Sequence, residues 1–125
     1  MSSAQSHKKI LVVDDSPSEL KLLIELLEHE GYEAVAVADP TSIEQTIEAS
    51  RPSLILLDVV MPVRNGFQVC RDLKAHQSYG DIPVIIVSSK ITPSDKHWGE
   101  LQGANEYVFK PFTREDLMRA VRKFA

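Results

Sequence analysis

Short apolar runs and helical patterns alternate along this chain without a break. Ile10 to Val13 is an aliphatic run of strand length,. Ser16-Pro17-Ser18-Glu19 then reads as a helix start. Ser16 can cap, Pro17 loses no hydrogen bond at the first helical position, and Glu19 stands where a capping box closes. Leu20, Leu23, Ile24 and Leu27 recur at helical spacing, and Gly31 supplies a left-handed stop,. Glu33 to Val37 is a second strand, and Thr41 with Glu44 opens a weaker helix through Ala49 by the same capping-box spacing,. Leu54-Ile55-Leu56-Leu57 is apolar at every position, as in a strand buried on both faces, and ends in Asp58,. Pro62 and Asn65-Gly66 form a loop before a helix from about Phe67 to Ala75,. Val84-Ile85-Ile86-Val87 is the fourth strand, ending in Ser88. Thr92-Pro93-Ser94-Asp95 starts a fourth helix that Gly103 ends,. Glu106 to Phe109 is the fifth strand, and Thr113 caps a last helix with Leu117, Ala120, Val121 and Phe124 on one face,.

Repeated strand–helix alternation predicts an α/β fold, a doubly wound five-stranded parallel sheet with five helices. The expected strand order is the flavodoxin-like 2-1-3-4-5. In such sheets ligands bind outside the carboxyl ends of the strands, near the point where the order reverses.

Composition narrows the function. At 125 residues the chain suits one domain, read as a flexible polar tail over 1–8 and a single domain over 9–125,. Hydrophobic residues at 43% and charged residues at 26% fit an ordinary globular protein,. The net charge of −4 argues against nucleic-acid binding, which needs a basic face,. The single cysteine, Cys70, has no internal partner and suits a reducing compartment,. No signal peptide and no apolar run of ~20 residues is present, so the expected location is the cytoplasm, away from the membrane.

The strand ends carry the chemistry. Strand 1 ends in Asp14-Asp15, strand 3 in Asp58, strand 4 in Ser88-Ser89 and strand 5 in Lys110-Pro111. Acids and hydroxyls often begin loops and cap helices, which explains any one of these ends. All four on one rim point instead to phosphoryl transfer. Crowded carboxylates repel unless a divalent cation sits among them, and Mg2+ (or Mn2+) takes such oxygens together with a phosphate oxygen. Asp58 is then the nucleophile that becomes an aspartyl phosphate. Lys110 and the Ser88 hydroxyl stabilise the phosphoryl oxygens.

On these residues the chain resembles the CheY-like receiver domains of two-component systems, over essentially all of Lys8 to Phe124. The matching positions are Asp14-Asp15, Asp58 followed by Met61-Pro62 and Gly66, Ser88, and Tyr107 with Lys110-Pro111-Phe112. The resemblance implies that Asp14, Asp15, Asp58 and the Val60 backbone carbonyl bind the metal. It also implies that a sensor histidine kinase phosphorylates Asp58, that the Lys110–Pro111 peptide is cis, and that Tyr107 is a switch turning inward as Ser88 moves. Tyr107 also has a plain reading as a strand aromatic packed on a helix. The family's usual partner surface is the helix 4–strand 5–helix 5 face, which engages a downstream protein, and the expected oligomeric state is a monomer or weak homodimer. Asp15-Ser16-Pro17-Ser18-Glu19, Asn65 to Arg71, Trp98-Gly99 and Gln102-Gly103-Ala104 are similar to receivers of pilus-linked, chemotaxis-like systems for twitching motility or phototaxis. Val63 replaces a common glycine and Ser89 a common alanine, while Val60 and Lys90 occupy positions that tune dephosphorylation in the family.

The expected function is therefore a switch rather than an enzyme. A pseudo-receiver should have lost part of the acid–hydroxyl–lysine set. An FMN protein would need a glycine- and hydroxyl-rich phosphate loop where Asp14-Asp15-Ser16-Pro17 stands. A haloacid-type phosphatase would want an acid at Val60, and the length leaves no room for a DNA-binding domain. His7, His29, His76 and His97 lack metal-site spacing. Cys70 reads as a small packing residue, and Trp98 as helix packing or partner surface.

Overall fold

The computed structural model describes residues 8–90 and 92–125; the expected tail, Lys8 apart, and His7 lie outside them. The five strands are β1 (Lys9–Val13), β2 (Glu33–Val37), β3 (Leu54–Leu57), β4 (Val84–Ser88) and β5 (Glu106–Phe109). They form one parallel sheet, as the alternation of elements predicts, in the expected order β2-β1-β3-β4-β5. The helices are α1 (Pro17–His29), α2 (Ile43–Ser50), α3 (Gly66–Lys74), α4 (Pro93–Leu101) and α5 (Arg114–Phe124).

Alternate residues of the central strands feed two cores. Ile10, Val12, Leu54, Leu56, Ile85 and Val87 pack against α1 (Leu20, Leu23, Leu27) and α5 (Leu117, Met118, Val121). Leu11, Val13, Ile55, Leu57 and Val84 face α2 (Ile43, Ile47) and α3 (Val69, Cys70, Leu73). This is why β3 is apolar at all four positions: a two-residue period with helices on both faces leaves it no solvent side,.

Most predicted helix boundaries hold. Ser16, Thr92 and Thr113 accept hydrogen bonds from the amides of Glu19, Asp95 and Asp116, and the Thr92–Asp95 capping box is complete. Gly31 and Gly103 take φ of 93° and 100°, the left-handed turn expected after a helix,. Two expectations fail. Thr41 and Glu44 form no capping box. Asp39 instead caps a 3-10 turn over Pro40–Ser42 by accepting from the Thr41 amide at 2.9 Å, and α2 begins at Ile43. A carboxylate just before proline is a stronger acceptor than a hydroxyl, and Glu44 has a better partner in Arg64,. Glu19 likewise leaves its capping box open, drawn to the ammonium of Lys110.

Candidate functional site

Strand pairing continues one residue past the strand ends, and that continuation assembles the site. Val13 pairs with Leu57, so Asp14 and Asp58 follow side by side. The Asp58 amide donates to the Val13 carbonyl at 3.0 Å and the Asp14 amide to the Val37 carbonyl at 3.1 Å. On the other side, the Lys110 amide donates to the Ser88 carbonyl at 2.8 Å. The Lys110–Pro111 peptide is cis.

Carboxylate oxygens of Asp14, Asp15 and Asp58 lie within 4.8 Å of one another. Asp14 is 1% and Asp58 8% exposed, while Asp15 is exposed. At that separation two unit charges repel by about 3 kcal/mol at an effective dielectric near ~20. Burial raises the pKa of Asp58 above the ordinary carboxylate value, and the charges of Asp14 and Asp15 add to it; the Val60 amide and Lys110 oppose the shift. The Val60 amide donates to Asp58 Oδ1 at 3.0 Å, and the Ser16 amide to Asp14 Oδ1 at 3.0 Å. An all-oxygen acidic set of this kind, two members buried and one open to solvent, fits a hard divalent cation,. Asp14, Asp15 and Asp58 are the residues that could hold one, and they are the one cluster of three or more such side chains among the described residues.

Lys110 supplies the opposing charge. Its Nζ lies 2.8 Å from Asp14 Oδ2 and 3.0 Å from Glu19 Oε1, but 3.6 Å from Asp58 Oδ2. Burial works against its charge, yet the bond to Asp14, the charge of Asp58 and the bond to Glu19 together raise its pKa.

These groups line a cavity of about 450 Å³ with Ser16, Glu19, Val60, Ser89 and Pro111. Ser88 is absent from that lining. It is fully buried, and its Oγ accepts from the Lys90 amide at 3.2 Å, which leaves its O–H free to donate,. Tyr107 is 7% exposed, and its hydroxyl donates to the Lys90 carbonyl at 2.7 Å. Its ring packs on Gly99, where an added Cβ would stand 3.1 Å from Tyr107 Cδ2 and 2.9 Å from Ile86 Cδ1. The inward ring position therefore depends on the missing side chain at 99. A neighbouring cavity of about 560 Å³, lined by residues including Met61, Lys90 and half-exposed Trp98, is larger but contains no carboxylate.

Sequence reasoning missed Glu19 as a site residue. The signal was available: side chains tilt back toward the start of a helix, so an acid in the first turn of α1 reaches the strand rim,. Cys70 is buried, and burial pushes its thiol up to about 11, the mark of an inert packing residue,. His76 stacks on Tyr79 with ring centroids 3.8 Å apart.

Comparisons with known proteins place the sequence and the fold in one family. The family model described as "Response regulator receiver domain" matches residues 10–122. The chain is 38% identical to Protein PilH of Pseudomonas aeruginosa over 113 residues, covering 90% of this chain and 93% of that protein. Its fold superposes on chemotaxis protein CheY4 of Vibrio cholerae with a TM-score of 0.88 at 28% identity, covering 95% and 99% of the two chains. It also matches the receiver domain of the sensor histidine kinase PA1611 of Pseudomonas aeruginosa, with a TM-score of 0.85, 28% identity and coverage of 94% and 97%. That receiver domain has a magnesium ion coordinated in its active-site cleft. Among the described residues no helix is long and apolar enough to cross a membrane.

Proposed function

Because the chain belongs to the response regulator receiver family, we propose that it is a phosphorylation switch whose receiver domain spans 9–125. A sensor histidine kinase donates the phosphoryl group and Asp58 accepts it. The observation that carries this reading is the Asp14–Asp15–Asp58 cluster, with Asp14 and Asp58 buried and Lys110 beside them. A carboxylate oxygen of Asp58 forms the new bond to phosphorus as the bond from phosphorus to the donor breaks, and that bond's electron pair leaves with the donor. Held by Asp14, Asp15, Asp58 and the Val60 carbonyl, Mg2+ or Mn2+ would neutralise charge developing on the phosphoryl oxygens. Lys110 contributes the second positive charge, and the Ser88 hydroxyl turns to donate a hydrogen bond.

Output passes through Tyr107 to the face formed by α4, β5 and α5, which engages a downstream protein. The protein acts in the cytoplasm as a monomer or weak homodimer, without turnover chemistry of its own and without binding nucleic acid or membrane. A role in motility or taxis control is supported by the resemblance to pilus-linked receivers and by the identity to Protein PilH.

Intact-mass measurement after incubation with acetyl phosphate and Mg2+ tests the core of this reading. One phosphoryl group should appear, absent after chelation and absent in Asp58→Asn. A full signal in Asp58→Asn overturns the assignment.

A further inference from the structure

We propose that Glu19 is a positioning residue that parks Lys110 in the resting protein and so restrains phosphoryl transfer. The inference rests on the proposed function, since it concerns which partner the Lys110 ammonium serves.

Lys110 has three N–H donors. One meets Asp14 Oδ2 at 2.8 Å and another meets the Glu19 carboxylate, at 3.0 Å from Oε1 and 3.1 Å from Oε2. Asp58 Oδ2, at 3.6 Å, is beyond hydrogen-bond distance,. In this geometry the lysine therefore hydrogen-bonds to two acids that are not the phosphoryl acceptor and meets Asp58 only as a longer ion pair. To act on phosphoryl oxygens it must give up at least one of them.

The two acids differ in how they let go. Asp14 belongs to the three-carboxylate cluster, so a cation held there neutralises it and weakens its hold on Lys110. Glu19 lines the same cavity but stands outside that cluster. Its hold on Lys110 persists with the metal site filled. Glu19 is then the remaining competitor of an incoming phosphoryl group.

Local structure explains why Glu19 is available. Ser16 Oγ accepts from the Glu19 amide at 3.4 Å, which fixes the backbone, while the carboxylate leaves its capping role to reach Lys110. The Glu19 side chain is 37% exposed, so the pair is weak enough to be exchanged rather than locked,. An acid in the first turn of a helix also has a plain structural use, since it favours the positive end of the helix dipole. The two roles predict different measurements.

The test compares wild type with Glu19→Gln, which keeps the shape and removes the charge. With acetyl phosphate at saturating Mg2+, E19Q should be phosphorylated roughly two- to fivefold faster, the range set by an ion pair whose acid is partly exposed,. Beryllofluoride, a mimic of the aspartyl phosphate, should bind more tightly by the same factor, and the Mg2+ titration midpoint should not move. In a Lys110→Ala background, adding E19Q should leave beryllofluoride affinity unchanged, because there is no ammonium to park. A lower Tm with an unchanged rate would show only a helix-end role and overturn the proposal. A weakened Mg2+ midpoint would make Glu19 an outer member of the metal site, and an effect that survives in Lys110→Ala would uncouple it from the lysine; either overturns it. Failure of wild type to gain a phosphoryl group overturns the proposed function instead. Normal phosphorylation of wild type with no acceleration in E19Q overturns the role of Glu19 alone.

Discussion

Two cations stand on the carboxyl rim of the sheet and are held in opposite ways. Arg64, in the loop before α3, places Nη1 and Nη2 each 2.9 Å from the two oxygens of Glu44 and sends a further bond to the Pro40 carbonyl at 2.9 Å. Its planar fork meets one carboxylate face to face, and the contact ties that loop to the start of α2. Lys110 instead lies among Asp14, Glu19 and Asp58, as a point charge on a flexible stem,. Arg64 closes its hydrogen bonds on one carboxylate, with Asp72 only a distant second at 3.9 Å; Lys110 is contested. A pair with one well-matched partner makes structure, whereas a charge with three claimants can be reassigned when a ligand changes the claims.

The largest test of this contrast is to remove each cation. Without metal, Lys110→Ala strips the counter-charge from two buried carboxylates and should destabilise the protein by about 3 kcal/mol. Arg64→Ala, breaking a partly exposed pair, should cost about 1 kcal/mol. Saturating Mg2+ should close most of the Lys110→Ala deficit and leave that of Arg64→Ala intact. Urea unfolding with and without Mg2+ measures both, and equal deficits indifferent to metal would erase the distinction.

The metal itself comes next. At a hundredfold excess over Kd, Mg2+ should raise wild-type stability by about 2.7 kcal/mol by mass action. Asp15→Asn should abolish that response and, by relieving repulsion, start from a higher stability in chelator. A flat wild-type melting temperature across millimolar Mg2+ counts against the site.

Acid should produce the smallest and most diagnostic effect, because the two regions respond with opposite sign. The pKa of Glu44 is lowered, first by its hydrogen bond to Arg64. Its contribution is present above the unfolded carboxylate pKa and lost as pH falls through the lower folded value, so the deficit of Arg64→Ala should fade in acid. Asp58 is raised by burial. Its ionised form opposes folding at neutral pH, and that penalty shrinks as pH falls below the raised folded value and is gone below the unfolded carboxylate pKa. Asp58→Asn should therefore gain stability at neutral pH in chelator and lose the gain on acidification. Stability curves from pH 7 downward that move both variants in the same direction would refute this assignment of signs.

The sheet and the acidic end of the site were readable because both follow from local patterns. Uninterrupted runs such as Leu54–Leu57 mark strands with helices on both faces, and each ends at the rim where Asp58 or Ser88 begins. What the pattern could not convey are pairings made by the finished fold. Glu19 and Lys110 are 91 residues apart, and Arg64 and Glu44 are 20 apart. In both cases a helix-capping acid left its local role for a cation that only the tertiary structure brings near. The same competition explains why Thr41 yields to Asp39, and why residue identity alone leaves open which way Ser88 points. Val63, exposed at φ 71°, belongs to the same class. A β-branched residue is strained in that conformation, and nothing in its side chain announces it.

Under the proposed function, Tyr107 bears on how much signal the protein can send. Its ring lies inward in this structure, tied to the Lys90 carbonyl and resting on Gly99. A partner that recognises this arrangement binds the resting protein in proportion to the fraction that holds it. The contrast between the off and on states cannot exceed the reciprocal of that fraction: a resting population of one half would permit only about a twofold rise in affinity through the ring. A protein built this way has a high baseline and a narrow range if the ring is its sole output. Wider contrast must come from what phosphorylation adds at the rim itself, in charge and in the β4–α4 loop that the Tyr107 hydroxyl holds.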